Sequence, residues 1–389
     1  MAGLYIHLPF CKSRCIYCAF YSTTQHERMD DYVTALCKEM ELRNTPPSSF
    51  HIPHSTLHTI YLGGGTPSQL PPALLHRLFH NIYKVYEVAA DAEITMECNP
   101  DDITPDYAKV IGELPINRVS MGAQTFSDER LRFLHRRHNS RQVREAVDLL
   151  RQNGIQIISI DLMFGFPGET IQDWEQDIHD ALALDVEHLS AYSLMIEEGT
   201  ELYRRYGDAG VQEYENSKEE LEREMYETLI DRLTAAGYEH YEISNFAKKG
   251  FRSRHNSSYW NDTPYIGIGA AAHSYCPPAL HPQGLGKRSW NVADIKAYIE
   301  GMKQGKRLFE EETIDTDTHY NDLVTVALRT REGLDLSVLS EKHRTYAIKN
   351  ARRFINDGLL ELTDNRLHLT RRGLFVSDMI MTELIIPPR

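Results

Sequence analysis

The sequence predicts an α/β protein, an open (β/α)6 partial barrel followed by a mostly helical, winged-helix-like carboxy-terminal domain. Three observations lead there. Strand-like apolar runs alternate with amphipathic stretches over the first half of the chain, which is the rhythm of parallel β/α units. The rhythm stops after Leu194. Near the end, the apolar runs Asp357–Leu362 and Arg366–Thr370 flank the polar pair Asp364-Asn365 behind a helical tract.

Taken in order, strands are predicted over Ala2–Leu8, Leu57–Leu62, Glu93–Glu97, Asn117–Met121, Gln156–Leu162 and His188–Leu194. Helices are predicted over Met29–Arg43, Pro72–Tyr86, Pro105–Glu113, Asp128–His135, Arg141–Asn153 and Ile171–Leu184, and the Pro- and His-containing stretch Thr45–Ser55 reads as a loop. Six strands rather than eight leave the barrel open on one side. Ser217, with Glu220 three residues on, reads as a capping box that opens a helix to about Ala236, ended by Gly237. A Gly-, aromatic- and His-rich region runs from Tyr238 to Trp290. These shifts divide the chain into 1–200, the partial barrel; 201–295, a barrel extension; and 296–389, the carboxy-terminal domain.

At 389 residues the chain exceeds the size at which one core usually suffices. Lys and Arg total 42 against 56 Asp and Glu, a formal charge of −14. That balance argues against a nucleic-acid partner, because phosphate binding needs a basic face, and Arg352-Arg353 and Arg371-Arg372 read as solvated charges. No run approaches the ~18 apolar residues that span a bilayer, and Met1-Ala2-Gly3 leads into a strand with no signal-peptide pattern. A cytoplasmic protein is the expectation, with peripheral membrane contact and homodimerisation left open.

Three of the six cysteines, Cys11, Cys15 and Cys18, lie in one short stretch. A [4Fe–4S] cluster normally takes four thiolates, so three leave one iron open to a small ligand. A disulfide is disfavoured where thiols stay reduced; structural zinc would need a fourth ligand such as His7 or His26. Cys37, Cys98 and Cys276 are scattered and read as core thiols.

Gly63-Gly64-Gly65-Thr66-Pro67 directly follows the second strand, where glycines let backbone approach a ligand or simply turn tightly. Glu97, Gln124, Arg136 and Asp161 fall at or just beyond the carboxyl ends of the next three strands, the active face of a β/α barrel. Gly165-Phe166-Pro167-Gly168-Glu169-Thr170 reads as a turn into a helix.

The Cys-x3-Cys-x2-Cys spacing with the glycine loop resembles the radical S-adenosylmethionine (SAM) enzymes. The resemblance implies that a [4Fe–4S] cluster held by Cys11, Cys15 and Cys18 binds SAM through its amino and carboxylate groups. An electron from the cluster then cleaves SAM to methionine and a 5′-deoxyadenosyl radical, so an electron donor is implied as a partner. Tyr5-Ile6-His7-Leu8-Pro9-Phe10-Cys11, Glu97-Cys98-Asn99-Pro100, Ser120-Met121-Gly122-Ala123-Gln124-Thr125-Phe126 and Asp161–Gly168 are similar to the branch that contains oxygen-independent coproporphyrinogen III oxidase. By position this makes Tyr5, Gly64 and Glu97 contacts to the cluster-bound SAM. Gly65, Thr66, Gln124, Arg136, Asp161 and Met195 become contacts to the adjoining cofactor region.

Two departures separate the chain from the oxidase. Phe20 stands where the oxidase has a further cysteine, and the oxidase carries a long segment ahead of the position of Tyr5. The run His255-Asn256-Ser257-Ser258-Tyr259-Trp260 matches HNxxYW, the mark of a haem-chaperone branch that lacks decarboxylation. What this implies is haem bound through His255, the imidazole being a standard axial ligand, and delivered to haem-requiring client apoproteins. His273 is a weaker candidate. The enzyme alternatives are decarboxylation of coproporphyrinogen propionates to vinyl groups, or a radical SAM methyltransferase; on this reading no catalytic residue is assigned.

Overall fold

A computed structural model describes residues 2–44, 56–281 and 284–387, without the side chains of 215–217. The loop expected over Thr45–Ser55 lies outside the described residues. Six parallel strands, β1 (Ala2–Leu8), β2 (Leu57–Gly64), β3 (Val88–Cys98), β4 (Arg118–Gln124), β5 (Ile157–Phe164) and β6 (His188–Ser193), lie side by side in chain order. Helices connect them, as the alternating pattern implies.

The strands alternate strictly in character, and this decides what the barrel can hold. Leu4, Ile6 and Leu8, Ile60 and Leu62, Ile94 and Met96, Val119 and Met121, and Ile158, Ile160 and Leu162 point outward and are buried under the helices. The opposite face carries Tyr5 and His7, Thr59 and Tyr61, Glu93, Thr95 and Glu97, Arg118 and Ser120, Ser159 and Asp161, then His188 and Ser190. A barrel normally fills its interior with branched apolar side chains. This one is polar inside and encloses cavities instead.

The region read as a Gly-, aromatic- and His-rich extension supplies five further strands to the same sheet, β7 (Glu239–Glu242), β8 (Asn245–Ala247), β9 (Tyr265–Ile268), β10 (His273–Cys276) and β11 (Gly286–Asn291), and a sixth, β12 (Phe309–Ile314), comes from the segment read as the carboxy-terminal domain. The result is twelve strands in the order β12-β11-β10-β9-β1-β2-β3-β4-β5-β6-β8-β7. β9 joins β1 in parallel, while β10, β11 and β12 continue antiparallel. The new strands run three to six residues and include glycines, which is too short for periodicity to expose.

The long helix begins well before Ser217. It spans Glu201–Ala235, and the Thr200 hydroxyl caps it by accepting from the Tyr203 N–H at 3.1 Å, with a break in helical geometry at Gly207. Ser217 falls inside the helical stretch that follows the Gly207 break and not at its start. Thr200→Ala is accordingly expected to cost about 1 kcal/mol, read from the urea midpoint.

A second hydrophobic core gathers Tyr320, Val324, Leu336, Ala347, Ala351, Phe354, Leu360, Leu367 and Ile380. Helices Thr316–Ala327 and Glu341–Asn356 pack there with a small sheet in which Leu360–Thr363 pairs with Arg366–Leu369. Asp364 and Asn365 take φ of 50° and 62°, the left-handed pair of a tight hairpin turn. Arg329 of this carboxy-terminal part pairs with Glu242 of β7 and lies over the Trp260 ring.

Candidate functional site

The three cysteines sit on the loop that leaves β1, and they share a cavity of about 270 Å³ with Tyr5, Gly64, Gly65, Thr66, Glu97, Gln124, Arg136 and Asp161. These eight residues therefore converge: seven lie on or just past parallel strands toward their carboxyl ends, and Arg136 reaches in from beyond the helix that follows β4. Thr66 donates to Cys11 Sγ at 3.5 Å and Arg136 to Cys15 Sγ at 3.6 Å. Of the two histidines suggested as a fourth zinc ligand, neither His7 nor His26 lines this cavity, whereas His135 does.

Each of the three glycines is required by the protein's own packing. A Cβ on Gly63 would lie 2.9 Å from Glu97 Oε1, one on Gly64 2.4 Å from the His7 ring, and one on Gly65 2.6 Å from the Pro9 carbonyl carbon. Gly64 also has φ of 107°. The loop thus holds its backbone where the Gly64 N–H donates to Glu97 Oε2 at 3.0 Å, while the Tyr61 hydroxyl donates to Oε1 at 2.8 Å. Burial pushes the Glu97 carboxyl up to about 7. Asp161 is likewise raised by burial, to about 6, although hydrogen bonds from Ser190 and Ser120 and the Arg136 charge draw it down.

Arg136 lies beyond the helix Asp128–Phe133, after His135 turns the chain back with φ of 58°. It donates to the Gly122 carbonyl at 2.5 Å and to Asn99 Oδ1. Gly122 matters because a Cβ there would lie 2.6 Å from Gln124 Nε2 and 3.2 Å from Arg136 Nη2. Gln124 sits at a break in the β4–β5 register with φ of 68°, a strained position for a side chain that lines the cavity. Sequence reasoning missed Asn99, Gly122 and Tyr61, although the first two stand within the quoted runs.

A wider cavity of about 690 Å³ continues down the barrel, lined by Arg118, Ser159, His188, Ser190 and Asn256 below and by Phe20, Tyr192 and Met195 at the mouth. Those three mouth residues are 72%, 45% and 58% exposed, an apolar rim beside the cysteines. Met195 borders this wider space and not the cysteine cavity.

His255 is placed differently from a presented ligand. It is 0% exposed on the short helix Arg254–Ser258 at the opposite end of the strands. Its Nδ1 pairs with Thr59 Oγ1 and its Nε2 with the Tyr259 hydroxyl, both at 2.9 Å, and its ring stacks on Tyr61 at 5.1 Å. Glu93 accepts from the backbone N–H groups of Arg254 and His255, and burial pushes the imidazole down to about 3. To reach an iron, His255 would first have to exchange these bonds. Trp260 packs away from the cavity under Arg329, and His273 stacks on Trp290 outside both cavities.

The residues around the cysteines fit an iron–sulfur cluster with a SAM-sized ligand. Three thiols on one loop form a soft donor set, and the buried Arg136 Nε has no partner among the described residues. The parallel β/α sheet and this loop define the class as a radical SAM protein, and the model of the radical SAM superfamily matches residues 5–181, that of the HemN C-terminal domain residues 314–376. A [4Fe–4S] cluster and SAM are the cofactors that class implies. The chain belongs to the HemW family: it is 34% identical over 387 residues to the haem chaperone HemW of Bacillus subtilis, covering 98% of each chain. It is 33% identical to that of Escherichia coli, covering 77% of this chain and 76% of the relative. Coproporphyrinogen III oxidase (HemN) from Escherichia coli shares the fold, with a TM-score of 0.80 and 23% identity over 99% of this chain and 90% of its own. Among the described residues no helix is long and apolar enough to cross a membrane.

Proposed function

We propose that the chain is a cytoplasmic haem chaperone that binds haem and passes it to haem-requiring apoproteins, with a SAM-binding [4Fe–4S] cluster on Cys11, Cys15 and Cys18. The observation that carries the reading is near-full-length similarity to HemW together with the complete HNxxYW run at residues 255–260. When bound, such a cluster supplies an electron to SAM. Around it, Arg136 and Thr66 steady the sulfurs, and Glu97 and the glycine loop offer acceptors and donors to a polar ligand. The mouth formed by Phe20, Tyr192 and Met195 supports a place for a flat apolar ring next to this site, since contiguous exposed apolar surface marks a binding region.

A radical decarboxylase is the second reading, favoured by the intact set of SAM-facing residues. One anaerobic experiment separates them. Reconstituted protein titrated with haem is expected to show saturable binding by absorption, and with SAM, reductant and coproporphyrinogen III it is expected to form no protoporphyrinogen. Absence of haem binding would end the chaperone reading, and product formation would establish the enzyme.

A further inference from the structure

The proton arrangement around His7 follows from its two partners. His7 Nε2 lies 3.0 Å from the backbone carbonyl of Tyr21, a group that only accepts, so Nε2 carries the hydrogen. The imidazole is 5% exposed, and burial pushes it down to about 4, leaving it neutral near pH 7. A neutral ring with Nε2–H has a bare Nδ1, which can only accept. Nδ1 lies 2.9 Å from the Tyr5 hydroxyl, so Tyr5 must donate its one hydrogen to His7. Both ring nitrogens are thus taken up, Nε2 by Tyr21 and Nδ1 by Tyr5.

Tyr5 lines the cysteine cavity with Gly64 and Glu97. With its hydrogen committed, its oxygen is open to a ligand there solely as an acceptor. We propose that His7 is a positioning residue that fixes Tyr5 as a hydrogen-bond acceptor, so that the cysteine site selects a ligand by its amino N–H group. The inference rests on the SAM reading of this cavity and adds the residue that sets its polarity. His7 also ties the carboxyl end of β1 to Tyr21, just past the third cysteine, so the acceptor and the metal loop are held in one frame.

The test compares two ligands on anaerobically reconstituted full-length protein: S-adenosylhomocysteine, and its deaminated analogue in which hydrogen replaces the amino group. Affinities come from calorimetry, and iron and sulfide content reports the cluster. In His7→Phe, Tyr5 is released to donate, and the preference for the amino-bearing ligand is expected to fall roughly ten-fold or more, with the analogue's affinity and the iron content unchanged. His7→Asn, whose side-chain oxygen can stand where Nδ1 stood, is expected to restore the preference. Tyr5→Phe, which removes the acceptor, is expected to lower it as far as His7→Phe does, the remaining preference coming from Glu97 and the cluster. Equal weakening of both ligands in His7→Phe, or no change in either, would overturn the role. Failure of the unsubstituted protein to bind S-adenosylhomocysteine at all would instead remove the SAM reading beneath it.

Discussion

Replacing His255 by alanine is expected to lower the unfolding free energy by about 2–4 kcal/mol, because the change empties a fully enclosed site and leaves hydrogen-bonding groups unmatched. Thr59 Oγ1 and the Tyr259 hydroxyl each lose their partner, and Tyr61 loses the ring on which it stacks. Tyr61 is the donor to Glu97 Oε1, so the disturbance reaches the far end of the barrel through one side chain. Urea unfolding of the variant beside a haem titration checks this. A stability equal to that of the unsubstituted chain would show that His255 is not held as described. A loss of haem binding by a destabilised variant speaks of the barrel floor as much as of an iron ligand, and the two are separated by measuring binding well below the variant's unfolding midpoint.

Glu97→Gln is expected to act in opposite directions on stability and on ligand binding. The folded-state carboxyl is raised to about 7, above its unfolded value near 4.5, so the native protein holds more protons than the unfolded one between those limits. Ionising Glu97 therefore costs stability as pH rises through that window, and Asp161, raised to about 6, adds to the same slope. The neutral amide has no such cost. The variant is expected to gain on the order of 2 kcal/mol at pH 8, little at pH 5, and to lose about ten-fold or more in affinity for SAM, whose amino group loses an anionic acceptor. Chemical unfolding at both pH values, with SAM titrations on reconstituted protein, would refute this if the variant were less stable at pH 8 or bound SAM unchanged.

The parallel half of the fold was legible because each strand is a run of alternating character followed by a helix of ordinary length. Cys11, Cys15 and Cys18, and the strand-end residues Glu97, Gln124 and Asp161, were legible for the same reason, since barrel topology brings strand ends together wherever they fall in sequence. Arg136 was legible only as a residue just beyond a strand end: its direction depends on a left-handed residue, His135, that no periodicity reveals. The strands between residues 239 and 314 were missed because three to six residues cannot display a period. His255 shows a different limit. A motif reports that residues matter together, and here His255 faces β2 and Trp260 the carboxy-terminal part, while Asn256 lines the wide cavity away from its mouth.

The narrow and wide cavities have a wall in common, made by Tyr17, Cys18, Phe20, Glu97, Ser120, Gln124 and Asp161. Two ligands placed on either side of that wall form a thermodynamic cycle, and the cycle must close. Whatever factor a SAM molecule in the narrow space imposes on the affinity for a ring in the wide one, the ring imposes the same factor on SAM. Cofactor loading and cargo loading become one equilibrium written twice, and either can be measured to learn the other.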